Sequence, residues 1–310
     1  MPTLPHRPLG DSGLQVSIVG LGCNNFGRRL DVAGTRRVVD AAIDQGITFF
    51  DTADIYGSGD SETFLGEVLA GRRDQIVLAT KFGMDMGDGG GPRGSRDYIA
   101  QAVEASLRRL RSDVIDYYWY HQPDGVTPIA ETLGALHELV TAGKVRAIGA
   151  SNFSAAQLEE ADTVARDQGV TRFTAVQNEY SLLVRDAESE VLPACERLGI
   201  GFVPFFPLAS GLLTGKYRRG EPGPSGARMS GRNQIASDRQ FAQVESLEAF
   251  ADARDVTLVV VAIGALLARE VVSSVIAGAT KPEQIQLNAA APAWTPTDED
   301  RRELAQLLSG

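Results

Sequence analysis

Residues 48–57 read TFFDTADIYG, residues 76–83 read IVLATKFG and residues 117–124 read YYWYHQPD. Each stretch opens on an apolar, β-branched or aromatic run and then breaks onto polar groups: Asp51 and Tyr56, Lys81, and His121. An unbroken apolar run is the mark of a parallel strand covered by helices on its outer face, and the polar break marks where it leaves the core. An acid, a phenol, an amine and an imidazole at such ends can meet in one pocket. Together they make a proton-donating set, so the chain reads as an enzyme.

Apolar runs at 18–21, 47–51, 76–80, 114–120, 146–150, 173–177, 201–206 and 273–277 are the expected strands. Amphipathic patterns lie between them, among them TRRVVDAAIDQG, RDYIAQAVEASLRRLR, AETLGALHELVTAG and SAAQLEEADTVARDQG. Several of these close on glycine, the common residue just past a helix end: Gly46, Gly143 and Gly169. Alternation of this kind over about 250–300 residues predicts an α/β fold, a (β/α)8 TIM barrel, as a single domain over 1–310. An open doubly wound sheet is the alternative. Ahead of the barrel, RPLGDSGLQVSIVGLG reads as a β-hairpin turning at Asp11, Ser12 and Gly13. TLVVVAIGALLA is rich in β-branched residues, and its length and position alone make it a buried helix. The Gly-rich segment 83–95 and the Pro/Gly-rich, locally basic segment 216–237 each follow a strand. Both therefore belong to the C-terminal face, where barrel active sites sit.

A net charge of −10 argues against nucleic acid or an anionic membrane as partner. The N-terminus MPTLPHRPLG has no apolar run of the secretory kind, and VTLVVVAIGALLA is too short to span a bilayer. Cys23 and Cys195 lack metal-ligand spacing and read as thiols of a reducing compartment. The expectation is a cytoplasmic protein with no metal.

Tyr56 suits a general acid. A free phenol ionises near pH 10, and the ammonium of Lys81 would stabilise the phenolate. A buried lysine keeps its proton only beside a carboxylate, and Asp51 is the candidate. His121 can hydrogen-bond the reacting oxygen or share the proton transfer. A donor aimed at a developing alkoxide suits carbonyl reduction, and no side chain supplies hydride, so a nicotinamide cofactor is implied. Taken singly the residues have plainer readings: Asp51 as a turn cap, Lys81 as a solvated lysine, His121 as one of three histidines. Tyr117, Tyr118 and Tyr120 are read as strand residues.

Along nearly its whole length the chain resembles the aldo-keto reductase family. The resemblance runs through DTADIYGSGDSETFLGEVL, KFG, HQPDGVTPIAETLGALHELVTAGKVRAIGASNFS, VQNEYSLLVR, FFPLASGLLTGKY and VIAGATKPEQIQLN. Their order and spacing are similar to the bacterial branch that itself resembles potassium-channel β subunits. The resemblance implies a barrel, an NADPH cofactor and a catalytic tetrad of Asp51, Tyr56, Lys81 and His121, with Tyr56 as acid. Ser151, Asn152 and Gln177 match positions that hydrogen-bond the nicotinamide carboxamide, and Phe205 the ring stacked on it. Pro207, Leu208, Ala209, Ser210, Gly211 and Leu213 match the loop whose backbone wraps the pyrophosphate, with Lys216 adding charge. Gly278, Thr280, Lys281, Gln284 and Asn288 fall in the adenosine-phosphate segment, where a helix N-terminus would face the phosphate. The segment GLGCNNFG is not a Rossmann fingerprint, since Asn25 stands at the third glycine and no helix opens after it. The resemblance makes it the first barrel strand and its exit, with Gly22, Cys23 and Asn24 lining the pocket. Cys23 reads as a packed thiol rather than a redox sensor.

Two positions depart from the family pattern. Leu287 replaces a polar residue near adenine, and Thr280 stands where relatives place Lys or Arg. Arg228 and Arg232 could compensate at the 2′-phosphate, which keeps NADPH ahead of NADH. The expected reaction is reduction of a small-molecule aldehyde or ketone. A cofactor-occupied, redox-sensing regulatory subunit that binds another protein is the alternative, and a non-redox barrel enzyme the third reading. Loops 24–30, 83–95 and 216–237 would shape the substrate pocket. Alternation puts Trp119 on the side of His121 and turns Tyr120 toward the helices. An apolar or aromatic aldehyde is the expected substrate, with sugars and steroids open. Oligomeric state is left open.

Overall fold

The computed structural model describes residues 4–87, 89, 91–229 and 236–309; Arg232 lies outside them. Strands β1 (His6–Pro8) and β2 (Gln15–Ser17) pair antiparallel as the opening hairpin. The remaining strands are β3 (Val19–Gly22), β4 (Phe49–Asp51), β5 (Val77–Phe82), β6 (Ile115–Tyr120), β7 (Val145–Ser151), β8 (Ala175–Gln177), β9 (Gly201–Phe202) and β10 (Val275–Gly278). They form one eight-stranded sheet in the order β10-β3-β4-β5-β6-β7-β8-β9, with every neighbouring pair parallel. Its two ends meet: Phe202 N donates to Val271 O (2.8 Å), Ser273 N to Phe202 O (2.9 Å) and Ile276 N to Pro204 O (3.2 Å). The sheet is closed, so the barrel stands and the open doubly wound alternative falls.

Around it run α1 (Val32–Asp44), α2 (Asp60–Val68), α3 (Arg96–Leu110), α4 (Ile129–Thr141), α5 (Ala155–Gln168) and α6 (Val191–Leu198). They are followed by α7 (Asp238–Asp252), α8 (Leu258–Leu267), α9 (Pro282–Ala289) and α10 (Asp298–Leu308). Helix α5 shows how the sequence sets its ends. Ser154 and Gln157 close a capping box at its start, and Gly169 ends it at φ 64°. The β-branched run LVVVAIGALL is helix α8: Thr257 caps it by accepting from Val260 N, and it is buried on nearly every face, which removes the need for amphipathic spacing.

Strand alternation sorts the side chains into two cores. Phe50, Leu78, Phe82, Tyr118, Tyr120, Ile148 and Val176 point outward beneath the helices. Phe49, Ala79, Tyr117, Trp119, Ala147, Ala175, Val203 and Ile276 fill the barrel interior, with Leu9 and Val16 of the hairpin packed in beside them. The turn of that hairpin presses on the N-terminal rim: a Cβ at Gly10 would lie 1.7 Å from Thr174 O. The same alternation carries Asp51, Lys81, Ser151 and Gln177 to the inward side at the C-terminal rim. Trp119 faces inward and Tyr120 outward, as the sequence predicts.

Strand β9 is shorter than the expected 201–206. Pro204 has no N–H for a ladder, and Phe206 sits at φ 52°, so regular pairing ends after Phe202; Val203 N still donates to Val176 O (2.8 Å), Pro204 O accepts from Ile276 N, and a bridge follows at Phe205.

The barrel interior holds Trp119 and Tyr117 because β7 offers no side chain at Gly149, where a Cβ would lie 2.6 Å from both Trp119 Cζ3 and Tyr117 Oη. Gly149→Ala is therefore expected to lose about 1–3 kcal/mol by overpacking, read as a lowered denaturation midpoint. An unchanged midpoint would show that the aromatic layer has slack.

Candidate active site

Asp51 ends β4, Lys81 is next to last in β5, and His121 follows β6 directly. Tyr56 comes from the tight turn after β4, where Gly57, Ser58 and Gly59 hold φ of 60°, 56° and 98°. That left-handed run brings the chain round into α2 and leaves Tyr56 over the strand ends.

Lys81 has no exposed surface. Its Nζ is ion-paired with Asp51 Oδ2, donates to Thr52 O at 2.9 Å and reaches Tyr56 Oη at 3.3 Å. The other carboxylate oxygen, Asp51 Oδ1, accepts from Gln177 Nε2 at 3.0 Å. Burial disfavours the charge on both partners. At Lys81 the fields of Asp51 and Tyr56 outweigh burial and the pKa rises, so the ammonium is retained. At Asp51 burial outweighs Lys81, Gln177 and Trp119, and the pKa is raised from its ordinary value. A fully buried lysine with a raised pKa needs an ionised carboxylate beside it, so the pair is ionic. Trp119 lies beneath Asp51 and helps hold its pKa down, although its Nε1 has no partner of ordinary hydrogen-bond geometry.

Burial also raises the pKa of Tyr56; Lys81 opposes this and Asp51 adds to it. The lowered phenol pKa expected from Lys81 alone is thus reversed in the folded site. His121 is pushed well below its ordinary pKa by burial and then by Lys81, so it is neutral. Its Nδ1 is buried without a partner, the residue lines the cavity, and its ring meets that of Tyr56 edge-on at 6.0 Å. Behind β5, Glu62 is fully buried and accepts from Thr80 Oγ1 (2.5 Å) and Arg109 Nε (2.6 Å). Burial and Glu62 push nearby Asp54 up to about 7.

One cavity of about 750 Å³ joins these groups, within the size range of small-molecule and cofactor sites. Asp51, Tyr56, His121, Gly22, Cys23, Asn24, Ser151, Asn152, Gln177, Phe205, Pro207, Leu208, Ser210, Gly211, Lys216, Arg228, Gly278, Thr280, Lys281, Gln284 and Asn288 all line it. Lys81 lies behind that wall, Ala209 shapes it from the backbone, and the Leu213 side chain packs away into the cluster around Tyr217 and Leu247. Cys23 is wholly buried, and burial raises its thiol pKa well above the usual value, as for a packed thiol. Arg28, Arg29, Met84, Gln122 and Phe206 line the cavity too and were not singled out from sequence. The loops that carry most of them were, and the Arg28-Arg29 pair just after a strand exit was the available signal.

The residues fit a nicotinamide dinucleotide. Asn152 Nδ2 donates to His121 O (2.9 Å) and Ser151 Oγ (3.2 Å), and Gln177 Nε2 is held by Asp51, which leaves both side-chain carbonyls to accept from a carboxamide. Asn152, Phe206 and Ser210 all hold positive φ on the cavity wall, the kind of backbone strain that gathers at ligand sites. At the far end α9 starts without a side-chain cap, with Thr280 and Lys281 before it. Gln284 Oε1 accepts from Thr280 N at 2.7 Å, and Leu287 is exposed.

A closed parallel barrel with an Asp, Tyr, Lys and His set at its C-terminal rim defines a class, and the comparisons agree. The model of the Aldo/keto reductase family matches residues 18–309, and the chain belongs to that family of carbonyl oxidoreductases. It is 36% identical over 315 aligned positions to a probable voltage-gated potassium channel subunit beta of Arabidopsis thaliana, covering 97% of this chain and 96% of the relative. A protein of the same description from Oryza sativa subsp. japonica matches to the same extent. A probable aldo-keto reductase 1 of Glycine max is 36% identical, over 97% of this chain and 88% of its own length.

Lys81→Met would leave the Asp51 carboxylate buried and unpaired, which is expected to cost about 3–5 kcal/mol in denaturant unfolding. The double variant Asp51→Leu/Lys81→Met should recover most of that loss. Additive losses would show that the two residues do not act as a pair.

Proposed function

We propose that this chain is an NADPH-dependent reductase of aldehydes or ketones in which Tyr56 is the general acid. The observation that carries the reading is the Lys81 ammonium, fixed at once to Asp51, Thr52 O and Tyr56 Oη in the floor of the cavity. Bound against Ser151, Asn152, Gln177 and Phe205, a reduced nicotinamide supplies the hydride for a carbonyl carbon. The protein's part is to hold and move the proton. Tyr56 stays protonated at neutral pH and donates as charge develops on the carbonyl oxygen. Lys81 then meets the phenolate with a charge already in place, so no reorganisation is needed at that moment. Asp51 keeps the ammonium from losing its proton. Neutral His121, as the Nε2–H tautomer, orients the carbonyl oxygen. NADPH over NADH rests on Lys281 and the uncapped start of α9 as seats for a 2′-phosphate. Among the described residues no helix is long and apolar enough to cross a membrane.

The potassium channel subunit descriptions of the plant relatives favour the second reading, a cofactor-occupied regulatory subunit. Negligible turnover across a broad carbonyl panel, together with a stable complex with another protein, would select it.

Tyr56→Phe should lower kcat about 10²–10⁴-fold while leaving NADPH affinity within about twofold. Turnover near that of wild type would remove Tyr56 from the acid role. Because His121 is held neutral, the profile of log(kcat/KM) against pH should show no protonation limb near 6.5, the ordinary histidine value. A limb there that disappears in His121→Gln would mean that the imidazole titrates in the free enzyme.

A further inference from the structure

Three inward side chains converge on the Asp51 carboxylate from three different strands: Lys81 of β5, Gln177 of β8 and Trp119 of β6. Two of them make ordinary contacts. Lys81 Nζ pairs with Asp51 Oδ2, and Gln177 Nε2 donates to Oδ1 at 3.0 Å. An ionised carboxylate offers about four lone-pair sites, so Asp51 keeps capacity for a further donor.

Trp119 is the third, and its polar atom is the unexplained one. It lies across from Lys81 in the β5–β6 register and has no exposed surface. An indole N–H can only donate, and a buried one normally finds an acceptor. Trp119 Nε1 is buried without a partner of ordinary geometry. Tyr117, in the same interior layer, is satisfied: its Oη donates to Ile148 O at 2.9 Å and lies 2.8 Å from Thr174 Oγ1. The acceptor on which Trp119 still acts is Asp51, whose charged form it favours. The large ring also makes demands on its neighbours. Tyr117 packs against it at 4.4 Å between centroids, and β7 carries no side chain at Gly149, where a Cβ would lie 2.6 Å from Cζ3. An aliphatic or phenyl side chain would complete the apolar layer without leaving a donor unpaired.

We propose that Trp119 is a positioning residue: its indole N–H is a third donor to Asp51, short of full hydrogen-bond geometry at rest and drawn in as the proton leaves Tyr56. This role rests on the reading of Tyr56 as the acid. When the phenolate forms, Lys81 Nζ, 3.3 Å from Tyr56 Oη, turns its charge toward it, and Asp51 loses part of its neutralisation. A donor that tightens on Asp51 at that moment acts on the transition state more than on the resting site. The titratable groups whose charges bear on the Asp51–Lys81 pair are Tyr56 and Asp54 after β4, Cys23 after β3 and His121 after β6. Trp119 carries no charge, so removing its N–H shifts the pair without adding or deleting a titrating group.

The test is an isosteric replacement in the full chain. Trp294→Phe leaves Trp119 as the remaining tryptophan, and growth on benzothienylalanine then exchanges its N–H for sulfur while keeping the ring shape. The sulfur protein should keep the denaturation midpoint of Trp294→Phe and an NADPH Kd within about twofold of it, but lose about tenfold in kcat. Its loss of activity toward acid pH, where the Asp51–Lys81 pair takes up a proton, should set in at higher pH, because the carboxylate has lost a donor. In Trp294→Phe itself, the indole N–H resonance should move upfield as the pair takes up that proton. Unchanged kcat with an unmoved acid limb in the sulfur protein overturns the proposal and leaves Trp119 as packing. A lowered midpoint with an unmoved acid limb does the same. If wild type reduces no carbonyl, the Tyr56 reading fails, and the indole resonance alone decides: a shift with protonation of the pair keeps the third donor, and its absence ends it.

Discussion

A lysine with no exposed surface is the constraint on which this site depends. Taking an ammonium out of water costs several kcal/mol, and only a carboxylate in contact with further polar partners makes that tolerable. Lys81 meets the condition through Asp51 and the Thr52 carbonyl, and Asp51 in turn needs Gln177 to satisfy its second oxygen. Three strands, β4, β5 and β8, are thereby tied at their C-terminal ends by side chains as well as by the ladder. Trp119, across from Lys81 in the register, fills the space beneath and keeps water from the pair.

The barrel and its loops divide the work. Strand ends place the proton-handling groups, because a residue on an inner strand position has little freedom once the aromatic layer below is packed. The irregular backbone does the rest. Left-handed residues at Asn152, Phe206 and Ser210 open a wall of the cavity to a ligand instead of continuing a helix or strand. Of the seven non-glycine residues at positive φ among those described, three, Asn152, Phe206 and Ser210, line the cavity. Strain of this kind is retained where the surrounding structure holds it in place and function uses it.

The barrel was legible because it follows from local pattern, and so was the meeting of Asp51, Tyr56, Lys81 and His121 at its rim. Apolar runs ending in Asp51, Lys81 and His121 are strands for the same reason that they are site residues: the run is buried and its end is not. Helix α8 was legible only through its length, since a segment buried all round carries no periodicity. Strand β9 was overextended because Phe205 and Phe206 look like strand residues, and only the fold shows that Phe206 takes a left-handed turn. Arg28 and Arg29 were missed as individual site residues, although their loop was named, because an exposed arginine in a loop looks the same whether it faces solvent or a cavity. What unites them with Lys216 and Arg228 is distance in space across most of the chain, which no spacing rule encodes.

The acidity of Tyr56 marks the sharper limit. Residue types alone suggest that a neighbouring ammonium draws the phenol toward ionisation. In the folded site burial acts more strongly, and the phenol is held protonated. That is the better state for an acid that must carry its proton to the reaction at neutral pH. On the proposed mechanism Lys81 lowers the barrier by stabilising the phenolate as it forms, with little effect on the resting population. Differential stabilisation of this kind is what accelerates a step; a ground-state phenolate would have no proton to give. The same burial that costs the lysine so much therefore keeps the tyrosine in its working form.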